Sequence, residues 1–167
     1  SEDKALLQKM LIRPLPKPEP NDYAGKVVMK PWGYELQIFK NASCDLWLLC
    51  LKPGKSTSMH CHQRKQATFM PLSGDVIFGT LACYRKLDTA ITVANGTFHS
   101  QENNTDEDVF FLEYETPSEK TDLVRALDRY GRQNLGYEGK SDMVPLTEFL
   151  RARNLPPQIY LMLERVA

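Results

Sequence analysis

From about Val27 to Tyr114 the chain alternates short apolar runs with turn clusters, and no helical period intervenes. The runs are rich in β-branched, aromatic and leucine residues, so strands are expected at 34–39, 45–52, 56–62, 67–72, 75–80, 90–94 and 108–114. Lys40–Ser43, Pro53-Gly54, Ser73-Gly74-Asp75, Asn95-Gly96 and Asn103–Asp106 punctuate them. The Asn-Gly pair is the strongest of these turn signals. Short, closely spaced strands without intervening helices predict an all-β antiparallel sandwich or barrel.

The two ends carry a different period. Leu6, Leu7, Met10 and Leu11 fall on one face of a helix expected over 2–12. Pro14, Pro16, Pro18 and Pro20 follow at every second position, which forbids a helix and predicts an extended arm. Near the C-terminus, Leu146, Phe149 and Leu150 share a face within 141–153, and Ile159, Met162, Leu163 and Val166 do so within 157–166. Those stripes are expected to cap the barrel or to form a dimer contact. The organisation expected is a helix and proline-rich arm over 1–26, a barrel over 27–138 and a helical extension over 139–167.

At 167 residues one domain can bury a sizeable core. Its 21 basic and 21 acidic residues cancel, which argues against a nucleic-acid or anionic-membrane binder. The longest apolar runs, such as Leu46–Leu51, are far too short to span a bilayer, and Ser1-Glu-Asp-Lys lacks the features of a signal peptide. The four cysteines, at 44, 50, 61 and 83, form no Cys-x-x-Cys pair. Reduced thiols and a cytoplasmic location are the expectation.

The chemistry concentrates in the histidines. There are three, His60, His62 and His99. Residues two apart on a strand point to one face, and imidazole is the commonest biological ligand for zinc, iron, copper and nickel. Cys61 alternates with its neighbours and is expected to pack on the opposite side. The segment Gly54-x5-His60-x-His62-x3-Gln66 resembles the first cupin motif, and Gly96-x2-His99-x3-Asn103 resembles the second. The resemblance implies a single jelly-roll barrel holding one divalent metal (zinc, iron, manganese or nickel) on His60, His62, Gln66 and His99. Where cupins carry a glutamate, this chain has Gln66. If 60, 62 and 66 share a strand face, the amide oxygen of Gln66 still reaches the metal.

A second resemblance lies outside those motifs. Lys30-Pro-Trp-Gly-Tyr-Glu35 and Asp122-Leu-Val-Arg-Ala-Leu-Asp-Arg-Tyr-Gly-Arg132 are similar to the opening and closing segments of the cupin domain of type II phosphomannose isomerases. That implies a sugar phosphate or similar small anionic substrate and isomerase-like chemistry. Moving a proton between sugar carbons needs a base, and Glu113, Glu115 and Tyr84 are candidates. Arg64, between His62 and Gln66, is expected inside the barrel as an anion-binding residue, because guanidinium pairs bidentately with phosphate and carboxylate. Arg125 and Arg132 are expected to pair with Asp122, Asp128 or Glu138, or to bind substrate. Trp32 and Trp47 are candidate pocket walls. Two other readings stay open: an iron(II) three-histidine dioxygenase, and a sugar- or ligand-binding cupin without catalysis. A homodimer is expected through the arm or the terminal helices.

Overall fold

The computed structural model describes residues 1–12, 22–137 and 142–167. The alternating prolines and Glu138 lie outside the described residues. Helix α1 (Glu2–Met10) leads into β1 (Lys26–Lys30), β2 (Gly33–Lys40), β3 (Asp45–Leu51), β4 (Met59–Cys61), β5 (Gln66–Ser73) and β6 (Ile77–Thr80). There follow β7 (Tyr84–Lys86), β8 (Ile91–Val93), β9 (His99–Glu102), β10 (Val109–Thr116), β11 (Val124–Leu127), β12 (Asp142–Pro145), α2 (Leu146–Ala152) and α3 (Pro157–Glu164). A seven-stranded sheet runs β12-β1-β2-β3-β10-β5-β8, and a five-stranded sheet runs β11-β4-β9-β6-β7. The pairings are antiparallel throughout.

The strands expected from apolar runs are present, and five further strands appear. Of those, β7 and β9 are short and largely polar, and β11 is only four residues long, so alternation did not mark them. The helix expected from 141 instead begins at Leu146, after β12 has joined the edge of the larger sheet through Val27↔Val144. A residue before proline is held extended, and Val144-Pro145 keeps that segment a strand until the helix can start.

Apolar residues occupy three layers. Trp47, Phe69, Phe78 and Phe111 lie in the core between the sheets. Val27, Tyr34, Leu36, Leu48, Cys50 and Phe110 face outward from the larger sheet and are covered by Leu146, Phe149, Ile159 and Leu163 of α2 and α3. Burying each of those four side chains contributes about 1.5–3 kcal/mol. Coverage on both faces explains why β3 reads as a continuous apolar run rather than an alternating one. Met59, Cys61, Phe98 and Val124 face outward from the smaller sheet beneath Leu6, Leu7 and Met10 of α1. Cys61 therefore faces away from its histidine neighbours, as alternation predicts. Ser1 caps α1 by accepting from the Lys4 N–H, and Asp3 ties the helix to the sheet by accepting from the Phe98 N–H at 2.8 Å.

Gly33 explains part of the Lys-Pro-Trp-Gly segment. Its φ is +151°, and a Cβ there would stand 2.0 Å from the Cys50 carbonyl oxygen. Only glycine lets the β1–β2 turn close against β3, and that turn holds Lys30 and Glu35 at the mouth of the interior. No helix among the described residues is long and apolar enough to cross a membrane.

Candidate metal centre

The smaller sheet builds the site. His60 on β4 pairs in register with His99 on β9, so their side chains stand beside each other on one face. His62 follows just past the end of β4 on the same side. One nitrogen from each ring falls in a group whose members all lie within 4.8 Å of one another. The ring centroids are 4.5 to 5.2 Å apart.

Each Nδ1 is engaged by a main-chain carbonyl: His60 by Ser58 at 2.8 Å, His62 by Asp122 at 2.6 Å and His99 by Thr97 at 2.9 Å. A carbonyl only accepts, so each Nδ1 carries the proton and each Nε2 presents a lone pair. The Nε2 atoms of His62 and His99 are buried with no hydrogen-bond partner among the described residues. Buried lone pairs brought together without a donor are costly, and a divalent cation would satisfy them. Burial, first of all, keeps the three rings neutral: His60 and His62 sit well below the usual histidine range, and His99 is pushed down to about 4. Neutral imidazole fixed by a carbonyl is the ligating form. The residues fit a divalent metal held by three nitrogens.

Gln66 is not among them. A turn at 63–64 separates His62 from β5, so 60 and 66 belong to different sheets. On β5 the inward positions are Ala67 and Phe69, with Lys65 buried just before the strand, and Gln66 is exposed opposite Thr116. The carboxylate nearest the histidines comes from elsewhere. Glu113 on β10 places Oε1 3.9 Å from His62 Nε2. It is buried and lies outside the three-histidine group. Burial, opposed by Lys120 and aided by the neighbouring Glu115, pushes its carboxyl up to about 8.

His60 and His62 open onto a small cavity of about 50 Å³ lined by a buried ionic network. Lys65 meets Glu115 at 2.8 Å. Lys120 reaches Glu115 at 3.1 Å and both Glu35 and Glu113 at 3.5 Å, while lying 4.2 Å over the Trp47 ring. Lys30 sits 3.7 Å from Glu35 and 3.8 Å over the Tyr137 ring, whose hydroxyl donates to Glu35. Burial lowers Lys30 to about 7. Burial would raise Glu115, but Lys120 and Lys65 hold it well below the carboxylate range. Trp32 and Trp47 both belong to the core, and Trp32 also lines this cavity.

Two sequence expectations fail here. Arg64 points away from the interior: its side chain is 53% exposed and pairs with Glu119 at 2.5 Å. It lies on the turn after β4, so strand alternation does not apply to it. Tyr84 is 55% exposed on the edge strand β7, beside a separate surface groove that does not include the histidines. Arg132 pairs with Asp128 at 2.7 Å, as one reading expected. Asp122 pairs differently: its carboxylate accepts the main-chain N–H groups of Gln63, Arg64 and Lys65, and its carbonyl orients His62.

Lys30, Glu35, Lys65, Gln101, Lys120 and Asp122 went unnoticed as site residues. Charged residues at inward positions of apolar strands would have flagged Glu35. Lys120 lies on a loop, where no period marks it.

No protein-family model and no curated protein matches the chain. Solved structures do. A protein with a double-stranded β-helix domain from Klebsiella pneumoniae superposes with a TM-score of 0.51 at 16% identity, over 56% of this chain and 84% of that one. A cupin-superfamily sugar phosphate isomerase from Silicibacter pomeroyi gives 0.50 at 17%, over 62% and 67%. The capsular polysaccharide assembling protein CapF from Staphylococcus aureus gives 0.54 at 16%, over 61% of this chain and 31% of that one. The fold is the cupin jelly roll. At these identities the likeness concerns the fold.

Proposed function

We propose that this chain is a metal-dependent cupin enzyme that moves a proton on a small anionic, carbohydrate-like metabolite. The carrying observation is Glu113, a buried carboxyl 3.9 Å from a histidine nitrogen and outside the three-histidine group, whose pKa burial pushes up. A group whose pKa lies near neutrality is suited to both accept and return a proton. Glu113 Oε1 would take the proton next to the substrate carbonyl and deliver it to the neighbouring carbon. Lys120, 3.5 Å from the other oxygen, stabilises the ionised form. A divalent ion on His60, His62 and His99 would polarise the substrate oxygen.

Cavity charge supports an anionic substrate. Lys30, Lys65, Lys120 and Arg125 outnumber Glu35, Glu113 and Glu115, while Arg132 is answered by Asp128. The Silicibacter structure is named a sugar phosphate isomerase, which agrees in direction.

The test is solvent exchange. Protein reconstituted with zinc, manganese, nickel or iron(II) is incubated in D2O with aldose and ketose phosphates and with uronates, and read by proton NMR. Deuterium should enter next to the carbonyl, and Glu113→Gln should abolish it. If no compound of these classes exchanges under any metal, the reading fails. A second reading, an iron(II) oxygenase, rests on the all-histidine group lacking a carboxylate ligand. Oxygen uptake by the iron(II) protein separates the two.

A further inference from the structure

Two buried donors on the histidine wall have no acceptor among the described residues. Gln101 lies on β9, two residues beyond His99, and is 1% exposed. The Thr57 hydroxyl lies 3.1 Å from its Oε1, leaving Nε2 buried without a partner. Arg125 on β11 is 5% exposed. Its Nη atoms donate to the carbonyls of Arg132, Leu135, Gly136 and Tyr137, and its Nε is buried without a partner. Both side chains line the cavity that His60 and His62 also line.

Strand register fixes where these donors stand. Arg125 pairs with His60, and His60 pairs with His99, so the three form a row across β11, β4 and β9. Neighbouring strands lie about 4.8 Å apart and residues two apart on a strand about 6.6 Å. The Arg125 guanidinium hydrogen-bonds only to neutral carbonyls, with the carboxylates of Asp128 and Glu35 acting on it from a distance. Unmet N–H groups beside such a charge call for an anionic oxygen.

We propose that Gln101 Nε2 and Arg125 Nε form an oxyanion subsite beside the three histidines, which takes a carboxylate or phosphate oxygen of the substrate. This deepens the anionic-substrate reading and rests on it. The strand spacings place that anionic group within a few bonds of the substrate oxygen that faces the histidines, rather than at the far end of a long sugar.

The experiment titrates the full chain, both EDTA-treated and zinc-loaded, with inorganic phosphate and with pyruvate by calorimetry. Gln101→Glu is the main variant, because it keeps the acceptor for Thr57 and replaces the donor by an oxygen. Wild type should bind at least one probe. Gln101→Glu should weaken that binding at least about tenfold while leaving zinc affinity within a few-fold. Arg125→Lys, checked for an intact fold by circular dichroism, should weaken it too. Preference for phosphate or for pyruvate identifies which anion the subsite takes. If neither probe binds, or if Gln101→Glu binds as tightly as wild type, the subsite is refuted. Failure of zinc to bind would refute the metal reading alone, since the EDTA-treated arm still reports on the subsite.

Discussion

Replacing Lys120 with methionine removes the cation shared by three buried carboxyl groups. Its ammonium stands 3.1 Å from Glu115 and 3.5 Å from both Glu35 and Glu113. Methionine keeps the length of the side chain and much of its contact with Trp47, so the change is mainly electrostatic. Breaking a buried ion pair by removing one partner costs about 3–5 kcal/mol. For a chain of this size that lowers the melting temperature by roughly 6–20 °C. The pH dependence is the sharper test. In the wild type, Lys120 leads the interactions that hold Glu35 and Glu115 below their ordinary values despite burial. Their stabilisation is therefore present above the unfolded carboxylate pKa and is lost only as pH falls through the lower folded values. Without Lys120, burial dominates and the folded values rise, so the variant loses stability as pH increases above the unfolded pKa. Urea denaturation followed by tryptophan fluorescence at pH 5 to 8 should show the deficit largest at pH 8 and shrinking toward pH 5. A deficit that does not vary with pH, or one under about 1 kcal/mol, would refute the reading of this network.

His62→Ala should lose stoichiometric metal in elemental analysis, whereas Gln66→Ala should bind it like the wild type, since Gln66 is exposed on β5. Asp122→Ala should weaken zinc affinity about 10–100-fold in competition with a chromophoric chelator, because Asp122 holds the turn carrying His62; unchanged affinity would remove its positioning role. Metal-free protein should be acid-sensitive through His99, which is ordinarily 6.5 and is held down to about 4 by burial. The unfolded chain then binds more protons below the ordinary value, so stability present above it is lost as pH falls toward about 4. Compared with His99→Gln, the EDTA-treated wild type should lose about 2–3 kcal/mol between pH 7 and 4.5 in urea titrations, and parallel curves would contradict this.

The apolar strands were legible because their outer faces are covered by helices and their inner faces fill the core. The polar strand β9 was not. His99-Ser-Gln-Glu102 carries no apolar residue, since its inward side chains serve the site rather than the core. The two motifs pointed to the three histidines that the structure brings together. Gln66 and Arg64 were misplaced for one shared reason: alternation was carried through the turn at 63–64, and one break in the strand reverses every later face. Glu113 could be found because it interrupts an apolar strand, whereas Lys120 and Asp122 lie on an irregular loop and act through contacts distant in sequence.

One physical cause accounts for both halves of the site. The same desolvation that keeps the histidines neutral, and so able to ligate, raises Glu113 toward neutrality. A carboxylate within the three-histidine group would coordinate the ion and be spent as a ligand. Displaced onto β10, the carboxylate stays outside the ligand group and is free to carry a proton. That arrangement requires its neighbour Glu115 to remain ionised without repelling it strongly, and Lys65 and Lys120 supply the opposing charge. The ionic network is thus what permits two adjacent inward glutamates on one strand to hold different protonation states, and a cupin that lost Lys120 would lose that difference before it lost its metal.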